Sequence, residues 1–177
     1  MKINKLLWVC LSLLLACGNK SGEEALNNYI IESGQVGPYK IGDPIPSTGQ
    51  FDNFEIEAST ETVAEEGETY EKPFNILSVE NQEKIRFDFK YDSYTSAFVP
   101  LIREIIVTAP ECKTAKGIGA GSTIEEFIKA YPDYTLWFTP LSDMFILETS
   151  ELTVQFILKG EDFIGDNQNF DSDYNPL

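Results

Sequence analysis

An alternation of apolar and charged residues over 85–91 constrains the fold of this chain more than any other feature. Apolar and charged side chains follow one another in the order Ile85, Arg86, Phe87, Asp88, Phe89, Lys90 and Tyr91. Because successive side chains of a strand point to opposite faces of a sheet, this order predicts a half-buried β-strand. The apolar segment 74–79 precedes it, and with a turn near Gln82 the two segments are predicted to form a hairpin.

Further strands are predicted on both sides of this hairpin. Residues 54–58 alternate between apolar and acidic side chains, which indicates another half-buried strand. Residues 101–108 are apolar on both faces apart from Arg103 and Glu104, so we expect a central strand covered on both sides. Residues 144–148 and 152–158 are separated by a short polar turn and predict a second hairpin.

One amphipathic helix is predicted in the second half of the chain. Ser122 is a suitable N-cap, and Glu125 three residues later completes a capping-box pattern. The apolar residues that follow at helical spacing are Ile124, Phe127, Ile128 and Tyr131. Pro132 ends the helix, because the residue before a proline is biased away from helical geometry.

These elements predict an α+β fold, mostly an antiparallel β-sheet with one clear amphipathic helix. Twelve Phe, eight Tyr and two Trp provide large apolar groups for a core. We expect a single domain over residues 29–160, and an acidic, mobile C-terminal tail over residues 161–177. The Asp and Asn residues of that tail resemble calcium ligands in composition, but their spacing does not match an EF-hand loop.

The composition excludes several classes of chemistry. The chain has no histidine, so neither a Ser-His-Asp nor a Cys-His arrangement can form, and the usual zinc, copper and haem ligands are missing. Cys112 lies in a predicted turn beside Lys113, which would favour the thiolate, but no histidine is present to act as its base. We therefore interpret Cys112 as an unreactive loop thiol, and we expect no cofactor and no metal.

The charge of the chain is strongly negative, with a formal net charge of −16. Nucleic acids and anionic lipid headgroups need clusters of Lys and Arg to neutralise their phosphates, so we expect no nucleic-acid partner. An acidic surface attracts cations and basic partners instead. The alternative interpretation is a generally acidic, solvated surface.

The N-terminal segment has the pattern of a secretory signal. Lys2 and Lys5 precede an apolar run over residues 6–15, which is too short to cross a bilayer as a helix. The run ends on Ala16 and Cys17. Removal of residues 1–16 would leave a chain of net charge −18 that begins at Cys17.

The sequence Leu14-Leu15-Ala16-Cys17 resembles the lipobox of bacterial lipoproteins. The resemblance implies that residues 1–16 are a cleaved signal peptide and that Cys17 is acylated on its sulfur and its new amine. Acyl chains would then hold the protein at a membrane. An ordinary signal peptide that contains a cysteine is the alternative.

Residues 17–28 begin with small and polar side chains and predict a flexible tether. Gly18 follows the cysteine, rather than the Asp associated in enterobacteria with inner-membrane retention. Lys20, followed closely by Glu23 and Glu24, resembles the surface-export signals of Bacteroidota lipoproteins. We therefore expect a lipid anchor in the outer membrane, with the protein on its periplasmic or cell-surface face.

A short repeat relates the two halves of the chain. Residues 41–45 and 120–124 each contain a Gly, a capping residue and an apolar anchor in the same order. This pattern resembles the tandem helix-then-sheet modules of β-lactamase-inhibitor-like proteins and small outer-membrane assembly lipoproteins. The resemblance implies modules over 29–108 and 117–160. Pro46 would cut short a helix in the first copy, so a shared turn is the other interpretation.

Two local features are candidate binding sites. The glycine-rich residues 117–121, with Lys113 and Lys116 nearby, could hold an anion on free backbone amides or simply form a turn that leads into the helix. Aromatic residues near predicted loops could form a contact surface for protein or glycan, or could pack in the core; they are Tyr91, Tyr94, Tyr134, Trp137 and Phe138.

These observations favour an outer-membrane-anchored lipoprotein with a non-enzymatic binding or structural role. A protein and a glycan are the candidate partners, and the sequence does not identify which. Paired carboxylates are the remaining catalytic chemistry, so a carboxylate-dependent glycan hydrolase is one alternative. An enzyme-inhibitor-like binding module, as the modular resemblance implies, is the other.

Overall fold

The computed structural model describes residues 22–51, 53–65, 67–139 and 144–159. Cys17, the signal peptide and residues 161–177 lie outside the described residues, so the predictions made for them stay predictions. The helices are α1 (Gly22–Leu26) and α2 (Ile124–Ala130). The strands are β1 (Ile30–Glu32), β2 (Gln35–Val36), β3 (Tyr39–Lys40), β4 (Gly49–Gln50), β5 (Glu55–Glu65), β6 (Glu68–Val79), β7 (Gln82–Asp92), β8 (Ala97–Val107), β9 (Lys113–Thr114), β10 (Tyr134–Thr139), β11 (Met144–Thr149) and β12 (Leu152–Lys159).

The prediction of an α+β fold was wrong, because the structure is mostly β. Strands contain 58% of the described residues and helices only 9%, and the main sheet is curled and antiparallel. The strands are longer than the apolar alternation indicated. β5 and β6, for example, continue as a paired hairpin through polar residues over 60–65 and 68–72. Cross-strand pairing, rather than burial, maintains these extensions, so hydrophobic periodicity could not predict them.

A five-stranded sheet in the order β4-β5-β6-β7-β8 forms the main body. The predicted hairpin of segments 74–79 and 85–91 is confirmed as the centre of this sheet. Its turn is made by Glu80 and Asn81, with φ angles of 51° and 63°. Positive φ at both central residues is typical of the tight turns that match the twist of two antiparallel strands.

The central position predicted for residues 101–108 was wrong. These residues belong mainly to β8, which lies at the edge of the sheet. The outer side of β8 is partly covered by a loop, since Ile102 N–H donates to Asp43 O and Gly42 N–H donates to Ile102 O. Loop cover, rather than a further strand, therefore explains the apolar composition of this edge strand.

A small sheet in the order β3-β2-β1-β9 and helix α1 complete the first core. Its buried residues include Leu26, Leu77, Ile85 and Phe87, which are 0% exposed. The flexible tether predicted over residues 17–28 therefore does not extend to Leu26. The folded part includes Gly22, where an added Cβ would lie 2.0 Å from Asn53 O.

Helix α2 packs against a three-stranded sheet in the order β10-β11-β12 around a second core. The second predicted hairpin, residues 144–148 and 152–158, is confirmed as β11 and β12. The helix begins one residue later than predicted: Thr123 is the N-cap and Glu126 closes the capping box. Ser122 instead accepts a hydrogen bond from Gly119 N–H.

The two segments of the short repeat adopt different structures. Residues 120–124 lead into α2, whereas residues 41–45 form a turn and an isolated bridge between Pro44 and Leu101. Pro46, directly after the first copy, has no backbone N–H to donate, which is consistent with the absence of a helix at residues 41–45. Across the part of the chain that the structure describes, no helix is both long and apolar enough to cross a bilayer.

Candidate functional site

The main sheet divides into two arms at one end. β5 and β6 stay paired out to Glu65 and Glu68, and β7 and β8 stay paired out to Asp92 and Ala97. Pairing between β6 and β7, in contrast, ends at Phe74 and Asp88 among the described residues. The first arm therefore consists of residues 60–65 and 67–73, and the second arm consists of residues 90–99.

Two prolines lie where the arms begin. Pro73 is adjacent to the last β6–β7 pair and has no N–H to donate to a neighbouring strand. Pro100 lies within an irregularity of β8, where Phe89 pairs with Ile102 and Lys90 pairs with Val99. Such bulges bend a strand and increase its twist, and this one lies where the second arm begins.

An ionic cluster occupies the fork between the arms. Asp88 is only 1% exposed and is bound by two cations, an ion pair with Lys72 and a 2.6 Å hydrogen bond from Arg86 Nε. Arg86 also binds Glu61 in a bidentate manner, with a 2.9 Å contact from Nη1 to Oε2. Because every charge in this cluster has an opposite partner, the fork is electrically balanced and geometrically fixed.

The surroundings of Arg86 strengthen this cluster. Its Cζ atom lies 3.8 Å from the centroid of the Phe74 ring, which is a cation–π contact. The hydrogen bond from Arg86 lowers the pKa of Glu61, and burial opposes this effect less strongly. Hydrogen bonding to Glu61 likewise raises the pKa of Arg86. Both groups are therefore held in their charged forms.

Aromatic side chains form a contact between the two arms. Phe98 of the second arm lies between Tyr70 of the first arm and Tyr91, with ring centroids 6.3 Å and 5.3 Å away. We call Tyr70, Tyr91 and Phe98 the aromatic cluster. Tyr70 is 39% exposed and Tyr91 is 46% exposed, so these rings form a surface and not a core.

Tyr94 lies at the tip of the second arm, beyond the aromatic cluster. It is 99% exposed, in the turn between β7 and β8. The turn is fixed by Asp92, whose Oδ1 accepts from Tyr94 N–H and whose Oδ2 accepts from the Thr95 hydroxyl, both at 3.0 Å. A large ring on a well-defined turn can contact a partner with little loss of backbone entropy.

The carboxylates near these rings determine which ligands are attracted. Glu68 and Glu71 are exposed on the first arm, and Asp92 lies on the second. Tyrosine faces attract cations through the ring quadrupole, and nearby carboxylates add Coulombic attraction. This combination favours Lys and Arg side chains over anionic groups.

The same sheet contains a close pair of carboxylates, as a glycan hydrolase requires. Asp88 and Glu104 are direct partners across β7 and β8. Asp88, however, is buried and bound by Lys72 and Arg86, whereas Glu104 is exposed. In this geometry Asp88 is not accessible to a sugar, so the pair does not have the open arrangement of two catalytic carboxylates.

Cys112 is completely buried, and its thiol contacts Leu26 O at 3.9 Å. Burial, reinforced by the charge of Glu111, raises the pKa of Cys112 to about 11. Lys113 lies nearby but its ammonium donates to Ala120 O at 3.1 Å. The environment therefore disfavours the thiolate, which is the opposite of an activated cysteine.

The glycine-rich residues 117–121 use their backbone amides within the loop. Gly117 N–H donates to Thr114 O, and Ile118 N–H donates to Thr114 Oγ1. An open pocket of about 380 Å³ lies beside this loop and includes Lys116 and Lys129. Lys116 is paired with Glu151, so the pocket does not present two free cations to an anion.

The aromatic residues that follow α2 belong to the three-stranded sheet. Tyr134, Trp137 and Phe138 lie in β10, and Trp137 is half-buried opposite Ile146 of β11. They do not join the aromatic cluster. Of the residues proposed from sequence as a contact surface, Tyr91 and Tyr94 lie on the second arm, and the others lie in β10.

Sequence reasoning missed Tyr70 and Phe98. Tyr70 lies in a polar segment and Phe98 in a run interrupted by Pro100, so neither had a clear apolar periodicity. The ion-pairing residues Glu61 and Lys72 were missed for a similar reason. The pairing register of β5 with β6 brings them together, and the sequence alone does not reveal this register.

Comparisons of this chain with known protein families, with characterised proteins and with solved structures found no match. Over residues 22–51, 53–65, 67–139 and 144–159, no group of three or more His, Cys, Asp or Glu side chains is arranged to hold a metal ion.

Proposed function

We propose that this protein is a lipid-anchored binding protein of the outer membrane, held through acyl chains on Cys17. In this proposal the two arms bind a basic segment of another protein and catalyse no reaction. The observation that carries the proposal is the aromatic cluster, which is exposed on arms whose base is fixed by the ionic cluster. The anchor is supported by the lipobox-like residues 14–17.

A binding role is favoured because the arms that carry the aromatic rings are fixed at their base and at the tip of the second arm. Exposed tyrosines that are fixed by their neighbours are typical of interaction surfaces, because each contributes a large contact area and loses few rotamers on binding. Asp88, Arg86 and Glu61 fix the base of the arms, and Asp92 fixes the tip. The surface is thus preformed, which lowers the entropic cost of binding.

A basic partner is supported by charge. The chain carries 29 acidic residues against 13 basic ones, and on the arms five acidic residues outnumber Lys72 and Lys90. An Arg or Lys side chain above Tyr91 or Tyr94 would gain both a cation–π contact and Coulombic attraction. A neutral glycan would gain neither.

The test uses two fluorescent decapeptides that differ only in charge. One contains arginines separated by glycine and serine, and the other has glutamine at each arginine position. We expect the acylated mature protein to bind the arginine peptide more tightly. Because any acidic surface attracts such a peptide, Tyr91→Ser combined with Tyr94→Ser, which changes no charge, is the decisive variant. We expect this double variant to bind the arginine peptide about tenfold more weakly, which is the loss expected when two cation–π contacts are removed.

Tyr134→Ser is the matched control, because Tyr134 is 38% exposed and lies in β10, outside the arms. It should bind the arginine peptide like the wild type. Equal affinity in the double variant and the wild type would contradict the proposal and assign the attraction to general acidity. If neutral oligosaccharides bound and the double variant abolished that binding, the arms would bind glycan and the proposed partner would be wrong.

A further inference from the structure

The attachment of α1 fixes one end of the molecule close to the N-terminal segment. Gly22 is buried, and an added Cβ would lie 2.7 Å from Val79 Cγ1 at the end of β6. Leu26 is 0% exposed in the first core. A short helix with two buried residues in tight contact cannot rotate away from the sheet without opening that core.

An ionic contact reinforces the same attachment. Lys84 is 5% exposed, and its ammonium lies 3.2 Å from Glu23 Oε1 and 3.6 Å from Glu111 Oε1. Burial lowers the pKa of Lys84. The hydrogen bond from Lys84 to Glu23 and the charge of Glu111 together raise the pKa by more than burial lowers it, so the net shift is upward. Helix α1 is therefore bound to β7 by a charged lysine as well as by apolar packing.

Only a short length of chain separates this attachment from Cys17. Five residue steps lead from Cys17 to Gly22, and a fully extended chain covers at most about 3.6 Å per step. Gly22 can therefore lie no more than about 18 Å from an acylated Cys17.

The arms lie at the opposite end of the same strands. Gly22 contacts Val79 at the C-terminal end of β6, whereas Tyr70 lies nine residues earlier in that strand. At about 3.3 Å per residue, the strand places these two positions about 30 Å apart. The β6–β7 turn marks the anchored end, and the β7–β8 turn with Tyr94 marks the far end.

We propose that α1 orients the anchored protein, with the β6–β7 turn facing the bilayer and the aromatic cluster facing away from it. This inference rests on the lipid anchor of the proposed function. The short connection holds the Gly22 end at the headgroups, and the length of the strands places the arms about 30 Å from that end. The partner is therefore bound at a distance from the anchoring leaflet, not at the lipid surface itself.

The experiment measures energy transfer from single dye labels to acceptor-labelled lipids. Acylated mature protein, which begins at Cys17, is bound to phosphatidylglycerol-containing vesicles at low ionic strength. Glu83→Cys places the dye beside the β6–β7 turn, and Ser93→Cys places it in the β7–β8 turn; both positions are exposed. Cys112 is 0% exposed, so the introduced thiol is the one that reacts.

We expect strong transfer from the label at position 83 and at least severalfold weaker transfer from the label at position 93. Equal transfer, or stronger transfer from position 93, in protein that floats with the vesicles would overturn the orientation while the anchor stands. Protein that does not float with the vesicles would overturn the anchor, and the orientation with it.

Discussion

Asp88 Oδ1 accepts a 2.6 Å hydrogen bond from Arg86 Nε, two residues away on the same face of β7, while Asp88 is only 1% exposed. Burial of a carboxylate is costly unless opposite charges compensate for it, and here Lys72 and Arg86 both do so. The base of the two arms is therefore stabilised as a unit, in which the removal of any one charge leaves an excess of the opposite sign.

Replacement of Asp88 should destabilise the protein. Asp88→Asn leaves Lys72 and Arg86 with an excess of positive charge, and we expect the free energy of unfolding to fall by roughly 3 kcal/mol. Urea denaturation followed by circular dichroism measures this change. Glu104→Gln is the control, because Glu104 is exposed and lies opposite Asp88. It should change stability by less than about 1 kcal/mol. Equal effects of the two substitutions would show that Asp88 has no special role.

The stability of the arms should decrease in acid. The pKa of Glu61 lies below its ordinary value of 4.5, mainly because of its hydrogen bond with Arg86. A carboxyl with a lower pKa in the folded state binds fewer protons there than in the unfolded chain. Its contribution is therefore complete above about pH 4.5 and is lost as the pH falls through the folded pKa.

Urea midpoints measured from neutral pH downward test this dependence. The wild type should lose stability below about pH 4.5 more steeply than Glu61→Gln, which has no carboxyl to protonate at that position. Parallel curves for the two proteins would contradict the pairing of Glu61 with Arg86. Asp92 also has a lowered pKa, mainly through its bond with Tyr94 N–H, and it contributes to the acid sensitivity of both proteins.

Cys112 should react slowly with thiol reagents in the folded protein. It is completely buried, and its pKa of about 11 keeps the thiolate fraction low at neutral pH. We expect modification of Cys112, followed by peptide mass, to be at least tenfold faster in urea than in buffer. Similar rates in the two conditions would mean that α1 opens readily, since Cys112 contacts Leu26 of that helix.

The start of α2 gives a sharp test at its N-cap, Thr123. Thr123 accepts a hydrogen bond from Glu126 N–H as the N-cap. Thr123→Ala should therefore lower the free energy of unfolding by about 1 kcal/mol. Thr123→Ser retains a capping oxygen and is the matched control, with a change of a few tenths of a kcal/mol. A full loss in the serine variant would show that packing of the threonine methyl group matters more than the cap.

Much of the fold could be predicted from local patterns. The alternation over 85–91 and the polar turn at residues 149–151 were sufficient to predict both hairpins, because one face of each strand is buried. The helix was placed to within one residue by its caps and apolar stripe. The overall class was wrong, because the paired extensions of β5 and β6 are polar and have no apolar periodicity.

The candidate site was less predictable, since it depends on contacts between distant segments. Tyr91 and Tyr94 were recognised as an aromatic group near a turn, but Tyr70 is 28 residues before Phe98 and meets it only through the strand order. Likewise, Glu61 and Arg86 come together across three strands. Long-range pairing register determines such contacts, and a single sequence does not reveal that register.

The most direct test of the anchored binding protein is the mass of its mature N-terminal peptide. We predict that the protein purified from membranes begins at Cys17 and carries a diacylglycerol on the cysteine sulfur, and that Cys17→Ser abolishes this modification. An N-terminus at another residue, or a Cys17 without lipid in membrane-derived protein, would contradict both the anchor and the orientation that depends on it.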